Sequence, residues 1–249
     1  MLPDLPPVSV IAAYRFVDID DCEALRHSLQ PAAERAGLKG TVLLAPEGIN
    51  LSLAGDQVAV QAWLDGLCAD PRFAGLDVKW HRARHVPFGR LRFKTKREII
   101  RMNQPSVRPR AGRAPGIDAP TLARWLAAGR CDAGRPVVML DTRNAFEADA
   151  GAFDGALDWR LAKFSDFPAA LEAHADELRG KTVVSYCTGG IRCEKAALWM
   201  AGAGVAHVLQ LEGGILRYFE QTAGAPHWRG DCVVFDERSA VDTRGAEAG

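Results

Sequence analysis

No stretch of the 249-residue sequence approaches the roughly 20 apolar residues that a membrane-spanning helix needs. The opening MLPDLPPVSVIAAYRF has no basic segment ahead of an apolar core, so neither a secretory leader nor a membrane partner is expected. The six cysteines are scattered and include no C-x-x-C pair, which argues against a disulfide framework or a zinc site and for a reducing, cytoplasmic setting. Cys232, the last of them, has no companions with which to hold a metal, and no metal site is expected. Flavin, iron and nicotinamide motifs are missing, so no organic cofactor is expected. There is no internal repeat and no low-complexity tract. Formal net charge is zero, so total charge by itself points to no partner. The length suits one large or two small domains, and with 48% apolar residues a sizeable core is within reach.

Against these absences, residues 182–204 are rich in signal. Thr182 to Tyr186 is a short β-branched and apolar run that reads as a buried strand. Cys193 to Ala203 has the composition and apolar spacing of a helix. Between them lie Cys187, Thr188, Gly189, Gly190, Ile191 and Arg192. A strand that ends on a cysteine and turns through glycines into a helix lets backbone N–H groups converge on the sulfur. The helix N-terminus adds partial positive charge. Both favour the thiolate, the reactive form. The loop residues Thr188, Gly189, Gly190 and Ile191 are therefore candidate substrate contacts. Arg192 is a candidate anion partner, with an ordinary helix-start residue as the alternative. Cys193 reads equally as a resolving thiol for Cys187 or as a small helix residue.

Along the chain, Val8 to Val17 reads as a strand, Asp20 to Ala36 as a helix stopped by Gly37, and Thr41 to Ala45 and Asn50 to Ala54 as a hairpin. A helix from Gln57 to Cys68 and a strand from Asp77 to Arg84 follow. The order βαββαβ predicts a ferredoxin-like α+β domain over residues 1–102, with Cys22 and Cys68 as packing residues. Residues 79–113 then carry Lys79, Arg82, Arg84, Arg90, Arg92, Lys94, Lys96, Arg97, Arg101, Arg108, Arg110 and Arg113, opposed only by Glu98. Trp80, His81, His85, Phe88 and Phe93 are interleaved with them. Basic residues supply phosphate contacts and aromatics stack on unpaired bases, so this stretch is a candidate nucleic-acid-binding surface. Arg82, Arg84, Arg90, Arg92, Lys94, Lys96 and Arg97 are its leading residues. The alternative is a solvated charged strand and linker.

Residues 103–118 are rich in Pro, Gly and Arg and read as a basic linker. A second domain over residues 119–225 is expected to alternate helix and strand. Its predicted elements are a helix from Thr121 to Ala128, a strand from Pro136 to Leu140 ending in Asp141-Thr142-Arg143, a helix from Leu171 to Leu178, the strand, loop and helix around Cys187, a strand from His207 to Leu211, and a helix from Ile215 to Gln221. Such alternation implies an α/β domain with a parallel sheet and ligands at the strand C-terminal ends. Asp141 and Arg143 at such an end read better as a bracing ion pair than as catalytic groups. Residues 226–249 form a C-terminal tail, with a polar and disordered end expected.

The segments DTRNAFE…GAFDGA, CTGGIRCEKA and LEGGI together resemble a rhodanese domain, and the six-residue Cys-x4-Arg loop is similar to those of rhodanese-type sulfurtransferases. With the N-terminal APEGINLSLAG, nearly the whole chain resembles the bacterial tRNA uridine(34) hydroxylase family. The resemblance implies a ferredoxin-like, acylphosphatase-like domain followed by a rhodanese-like α/β domain. It implies a tRNA-modifying oxidoreductase that converts uridine 34 to 5-hydroxyuridine, with molecular oxygen as co-substrate and Cys187 as the active-site cysteine. Many members continue past a segment like GDCVVFDER into a cysteine-rich tail, whose functions the resemblance does not carry over to this sequence. Two rival readings stay open. One is a thiosulfate or persulfide sulfurtransferase, favoured by the Cys-x4-Arg loop alone. The other is a non-catalytic RNA-binding module, disfavoured by the intact Cys187 loop.

Overall fold

Apolar and β-branched alternation builds β1 (Val8–Phe16) into the second strand position of a five-stranded sheet, in a computed structural model that describes residues 8–248. Residues 1–7, which belong to the expected N-terminal domain and leader-free start, lie outside the described residues, as does Gly249. The chain divides into two units: residues up to Ile100 together with Asp236–Arg238, and Arg101–Phe235 together with Ser239 onward.

In the first unit β1 leads to helix α1 (Cys22–Arg35), then to β2 (Lys39–Ala45) and β3 (Gly48–Gly55), paired as an antiparallel hairpin. Asp56 caps helix α2 (Gln57–Cys68) by accepting from the Val58 and Ala59 N–H groups. Strand β4 (Val78–Ala83) pairs antiparallel with β1. The two helices bury one face of the sheet, where Ile11, Val42, Leu44, Leu51, Trp63, Leu64 and Phe73 form the core. Cys22 and Cys68 pack there, as their helical spacing suggested. The sequence reading missed a fifth strand, β5 (Leu91–Thr95), which runs parallel to β2. Its charged residues masked a period-two pattern in which Leu91 and Phe93 point to the core while Arg92 and Lys94 point away.

The second unit opens with the segment expected to be a linker. Its last residues instead form a short strand, β6 (Gly116–Ile117), because the Gln210 side chain and main chain hold the Ala114 and Pro115 carbonyls. Helix α3 (Ala119–Ala128) is capped by Asp118. Next come β7 (Val137–Asp141), helix α4 (Ala145–Ala150), and the short strands β8 (Gly151–Phe153) and β9 (Leu157–Asp158). They are followed by α5 (Phe167–His174), β10 (Thr182–Tyr186), α6 (Ile191–Gly202), β11 (Val208–Leu211) and α7 (Gly214–Gln221). The sheet order is β6-β11-β10-β7-β9, and its pairs are parallel. Strand β10 is central and buried at every residue. Its C-terminal end is where the chain enters the Cys187 loop.

The tail is not disordered where the structure describes it. Strand β12 (Trp228–Gly230) pairs with β8, and β13 (Cys232–Val233) pairs with β14 (Ala240–Val241). Composition hid this because polar residues outnumber the three that anchor the segment. Trp228, Cys232 and Val241 are buried against Phe153, Tyr186 and Phe219.

Candidate active site

The Cys187 loop is held from outside so that its N–H groups can turn inward. Two carbonyls of the loop, those of Cys187 and Thr188, accept from the N–H groups of Ile215 (3.0 Å) and Leu216 (3.1 Å) in the first turn of α7. This contact requires Gly214, whose φ is +68° and where a Cβ would lie 2.7 Å from Gly190 N. With its carbonyls engaged outward, the loop donates the Gly190 N–H to Cys187 Sγ at 3.1 Å, and the N–H groups of Arg192 and Cys193 also aim at that sulfur. Gly190 makes the reversal at φ +103°. The convergence predicted from Gly189 and Gly190 is thus the geometry present.

Burial alone would raise the Cys187 thiol. The hydrogen bond from the Cys193 thiol, the nearby Arg192 charge and the backbone donors outweigh it and hold Cys187 well below the ordinary thiol range. Cys193 responds in the opposite sense. Its hydrogen bond to Cys187 and its burial push its thiol well above the usual range. Its Sγ lies 3.0 Å from the Gly190 carbonyl oxygen. The buried pair therefore divides into a thiolate and a thiol.

Arg192 is not the free anion partner that its position suggested. Its guanidinium is gripped by Glu147, with Nη1 donating to Oε2 at 2.6 Å and Nη2 to Oε1 at 2.7 Å, both side chains being buried. The remaining reach of Nη2 is toward Thr188 Oγ1 at 3.5 Å. Arg192 thus acts on Cys187 through its charge while Glu147 fixes its position. Sequence reasoning passed over Glu147 as a site residue. The available signal was Asn144 followed three residues later by Glu at a helix start, and Asn144 N indeed donates to Glu147 Oε2 at 3.0 Å. Thr188 sits in the loop with its hydroxyl directed to the Val233 carbonyl at 3.3 Å, while Gly189 continues the turn and Ile191 opens α6.

A second buried pair braces the strand ends. Arg143 binds Asp141 through Nε and Nη2, donates to the Gly151 carbonyl at 2.6 Å, and lies 5.5 Å from the Tyr186 ring centre and 5.3 Å from that of Trp228. Tyr186 Oη donates to Asp141 at 2.8 Å. This is the bracing pair expected from the sequence. Cys232 lies nearby, its thiol pushed up to about 12 by burial. No group of three or more potential metal ligands occurs among the described residues.

Two large apolar side chains of the second unit are exposed. Phe235, 66% exposed, stands over the Arg192 guanidinium at 5.7 Å. Phe146, 54% exposed, is the residue before Glu147. Neither was singled out from sequence, since nothing local distinguishes an exposed phenylalanine from a core one.

The basic stretch does not form one patch. Arg82, on β4, and Arg84, just beyond it, belong to one edge of the first unit's sheet. Arg90, Arg92, Lys94, Lys96 and Arg97 lie on or beside β5 at the opposite edge, four strand spacings or roughly 19 Å away. All seven side chains are exposed. The interleaved aromatics are not free for bases as a set. Phe93 packs edge-on against Trp63 at 6.4 Å, and Phe88 packs against the cluster of Val10, Ala54 and Ala83. Burial, then the charges of Arg238 and Lys79, push His81 down to about 4, leaving it neutral at pH 7. Trp80 remains partly exposed.

Two family models match the chain: the UPF0176 acylphosphatase-like domain over residues 8–99 and the rhodanese-like domain over residues 122–221. A tRNA uridine(34) hydroxylase of Bordetella avium is 62% identical over 232 residues, covering 93% of this chain and 96% of its own length. One from Bordetella petrii is 59% identical over 245 residues, covering 98% and 97%. Among solved structures, a rhodanese-like domain from Anabaena is 22% identical at a TM-score of 0.38, over 47% of this chain and 79% of that one. No helix is long and apolar enough to cross a membrane among the described residues.

Proposed function

The chain belongs to the tRNA uridine(34) hydroxylase family, and from that premise we propose that it hydroxylates C5 of the wobble uridine of tRNA with an oxygen atom from dioxygen, using Cys187 as nucleophile. The observation that carries this reading is the position of Cys187 Sγ at the end of the central strand, where the Gly190 N–H donates to it at 3.1 Å and the loop favours its thiolate. A thiolate adding to C6 of uracil moves the ring electrons onto C5 and O4 and makes C5 reactive toward dioxygen. The loop N–H groups and the fixed charge of Arg192 stabilise the anions formed along the way. One oxygen atom ends as the hydroxyl on C5 and the other leaves as water. The two electrons and two protons that this requires come from a reductant of the thiol class. No metal or organic cofactor has a part in the proposal.

Transfer RNA is the partner and the cytoplasm the setting. Exposed basic residues along β5 supply phosphate contacts. Phe235 offers an aromatic face for an unstacked base within reach of the loop. Cys187 is fully buried, so the base gains access as Val233–Phe235 moves off the loop, where the Thr188–Val233 hydrogen bond ties it. The same N–H cradle also suits a persulfide, which keeps sulfur transfer as the second reading. Purified protein incubated in air with tRNA bearing uridine 34 and a dithiol, followed by nucleoside mass spectrometry, tests the proposal. The expected product is uridine heavier by one oxygen at position 34. Unchanged uridine, or uridine carrying sulfur, refutes it.

A further inference from the structure

We infer that Cys193 is the immediate reductant of this reaction, its thiol and that of Cys187 together supplying two electrons and ending as a Cys187–Cys193 disulfide. The inference rests on the hydroxylase reading and deepens it. Its geometric ground is that both sulfurs are anchored on one residue. Gly190 donates its N–H to Cys187 Sγ at 3.1 Å, and its carbonyl oxygen lies 3.0 Å from Cys193 Sγ. Both side chains are sealed from solvent, and each thiol shifts the ionisation of the other. The first turn of α6 fixes this placement, since Cys193 follows Arg192 and its anchor to Glu147. One residue, Gly190, thus positions both sulfurs.

The electron balance gives the arrangement its use. Converting uridine and dioxygen to 5-hydroxyuridine and water consumes two electrons and two protons, and oxidation of two thiols to a disulfide releases the same number of each. After the Cys187 thiolate has added to C6 and dioxygen has added to C5, the C5 hydroperoxide lies beside the Cys193 thiol. Cys193 sulfur attacks the outer oxygen, the O–O bond breaks, and a C5 hydroxyl and a Cys193 sulfenic acid remain. Loss of the C5 proton then expels Cys187 from C6 as thiolate and completes 5-hydroxyuridine. Cys187 attacks the sulfenic sulfur, hydroxide leaves and takes up the proton as water, and the disulfide forms. The opposite displacements of the two thiols match these roles, Cys187 arriving as nucleophile and Cys193 carrying a proton. An external dithiol resets the pair.

The test is a single turnover without added reductant. Fully reduced, desalted protein is mixed with tRNA and air-saturated buffer, quenched with an alkylating agent, and analysed for nucleosides and disulfide-linked peptides. The inference expects 5-hydroxyuridine up to one per chain, appearing in step with one Cys187–Cys193 disulfide. Protein without tRNA stays reduced over the same interval. Both Cys193→Ser and Cys193→Ala lose this single turnover but regain activity with excess dithiol, whereas Cys187→Ser regains none. Cys131→Ser, at the far end of β10 beside Thr182, behaves as wild type. Product from wild type with both thiols still free overturns the inference and leaves the hydroxylase reading intact. Disulfide formation at the same rate without tRNA also overturns it. No product from wild type even with dithiol refutes the hydroxylase reading itself.

Discussion

Glu147 holds both terminal nitrogens of Arg192, at 2.6 and 2.7 Å, in a pair closed to solvent. A loop charge that sequence position assigns to substrate is thereby assigned to the thiolate next to it. Breaking such a pair leaves a buried charge, so Glu147→Ala is expected to cost about 3–5 kcal/mol in a denaturant titration. Glu147→Gln keeps the shape while removing the opposing charge. It should lower the Cys187 midpoint further, read as faster alkylation at acidic pH; a midpoint moved upward would mean that Glu147 does not set the field at the sulfur.

Alkylation rate against pH reads the cradle directly. Cys187 is placed at about 5, through the Cys193 hydrogen bond and the Arg192 charge acting against burial, compared with about 8.5 for a free thiol. The rate is therefore expected to have its midpoint on the acid side of neutrality. The sign carries over to stability, because the folded value is depressed. The contribution is fully present above the unfolded value and is lost as pH falls through about 5. A reactivity midpoint at 8.5 or higher removes the cradle argument.

Gly214→Ala tests the outer half of the same device. The new Cβ would overlap Gly190 N and the backbone around it, and φ +68° adds strain, a cost of at least about 1–3 kcal/mol. Cys187 alkylation at pH 6 should slow as the loop N–H groups lose their alignment. Wild-type reactivity in this variant would show that the α7 contact does not shape the loop.

These residues also show what was legible beforehand. The strand Thr182–Tyr186 and the glycine turn of the Cys187 loop follow from local composition, and they stand where expected. The partners of the loop do not follow from local composition. Glu147 and Gly214 reach it from α4 and α7, forty residues upstream and some twenty-seven downstream, and only the parallel sheet brings them together. Strand β5 was missed because its outward face carries the charges that marked it as a nucleic-acid stretch. The same topology divides a continuous basic run between two edges, which a linear reading cannot anticipate. In the tail, Trp228, Cys232 and Val241 are buried in the second unit's core although polar residues surround them in sequence.

The divided basic run makes a distinguishing prediction. Arg90, Arg92 and Lys94 changed together to Ala should weaken tRNA binding and reduce the salt slope by up to about one log unit per lost phosphate contact. Filter binding across a salt series measures this. Arg82→Ala, at the other edge, should change the slope independently of that triple variant, with additive effects. An unaltered slope in the triple variant returns β5 to the role of a solvated face.

Phe235 is expected to act in substrate binding. Phe235→Ala should raise KM for tRNA more than it lowers kcat, with a loss of about 1–3 kcal/mol if a base stacks there, while Phe235→Trp retains activity. Equal KM values for Phe235→Ala and wild type would leave its exposure without a role in binding.

The origin of the added oxygen atom tests the central claim most directly. Wild-type protein, tRNA and dithiol are incubated under isotopically labelled dioxygen, and the wobble nucleoside is analysed by mass spectrometry. The expected result is label in 5-hydroxyuridine at position 34 with wild type and none with Cys187→Ala. Label incorporated by Cys187→Ala, or sulfur delivered to tRNA without dioxygen and no label with it, would contradict a Cys187-dependent hydroxylation.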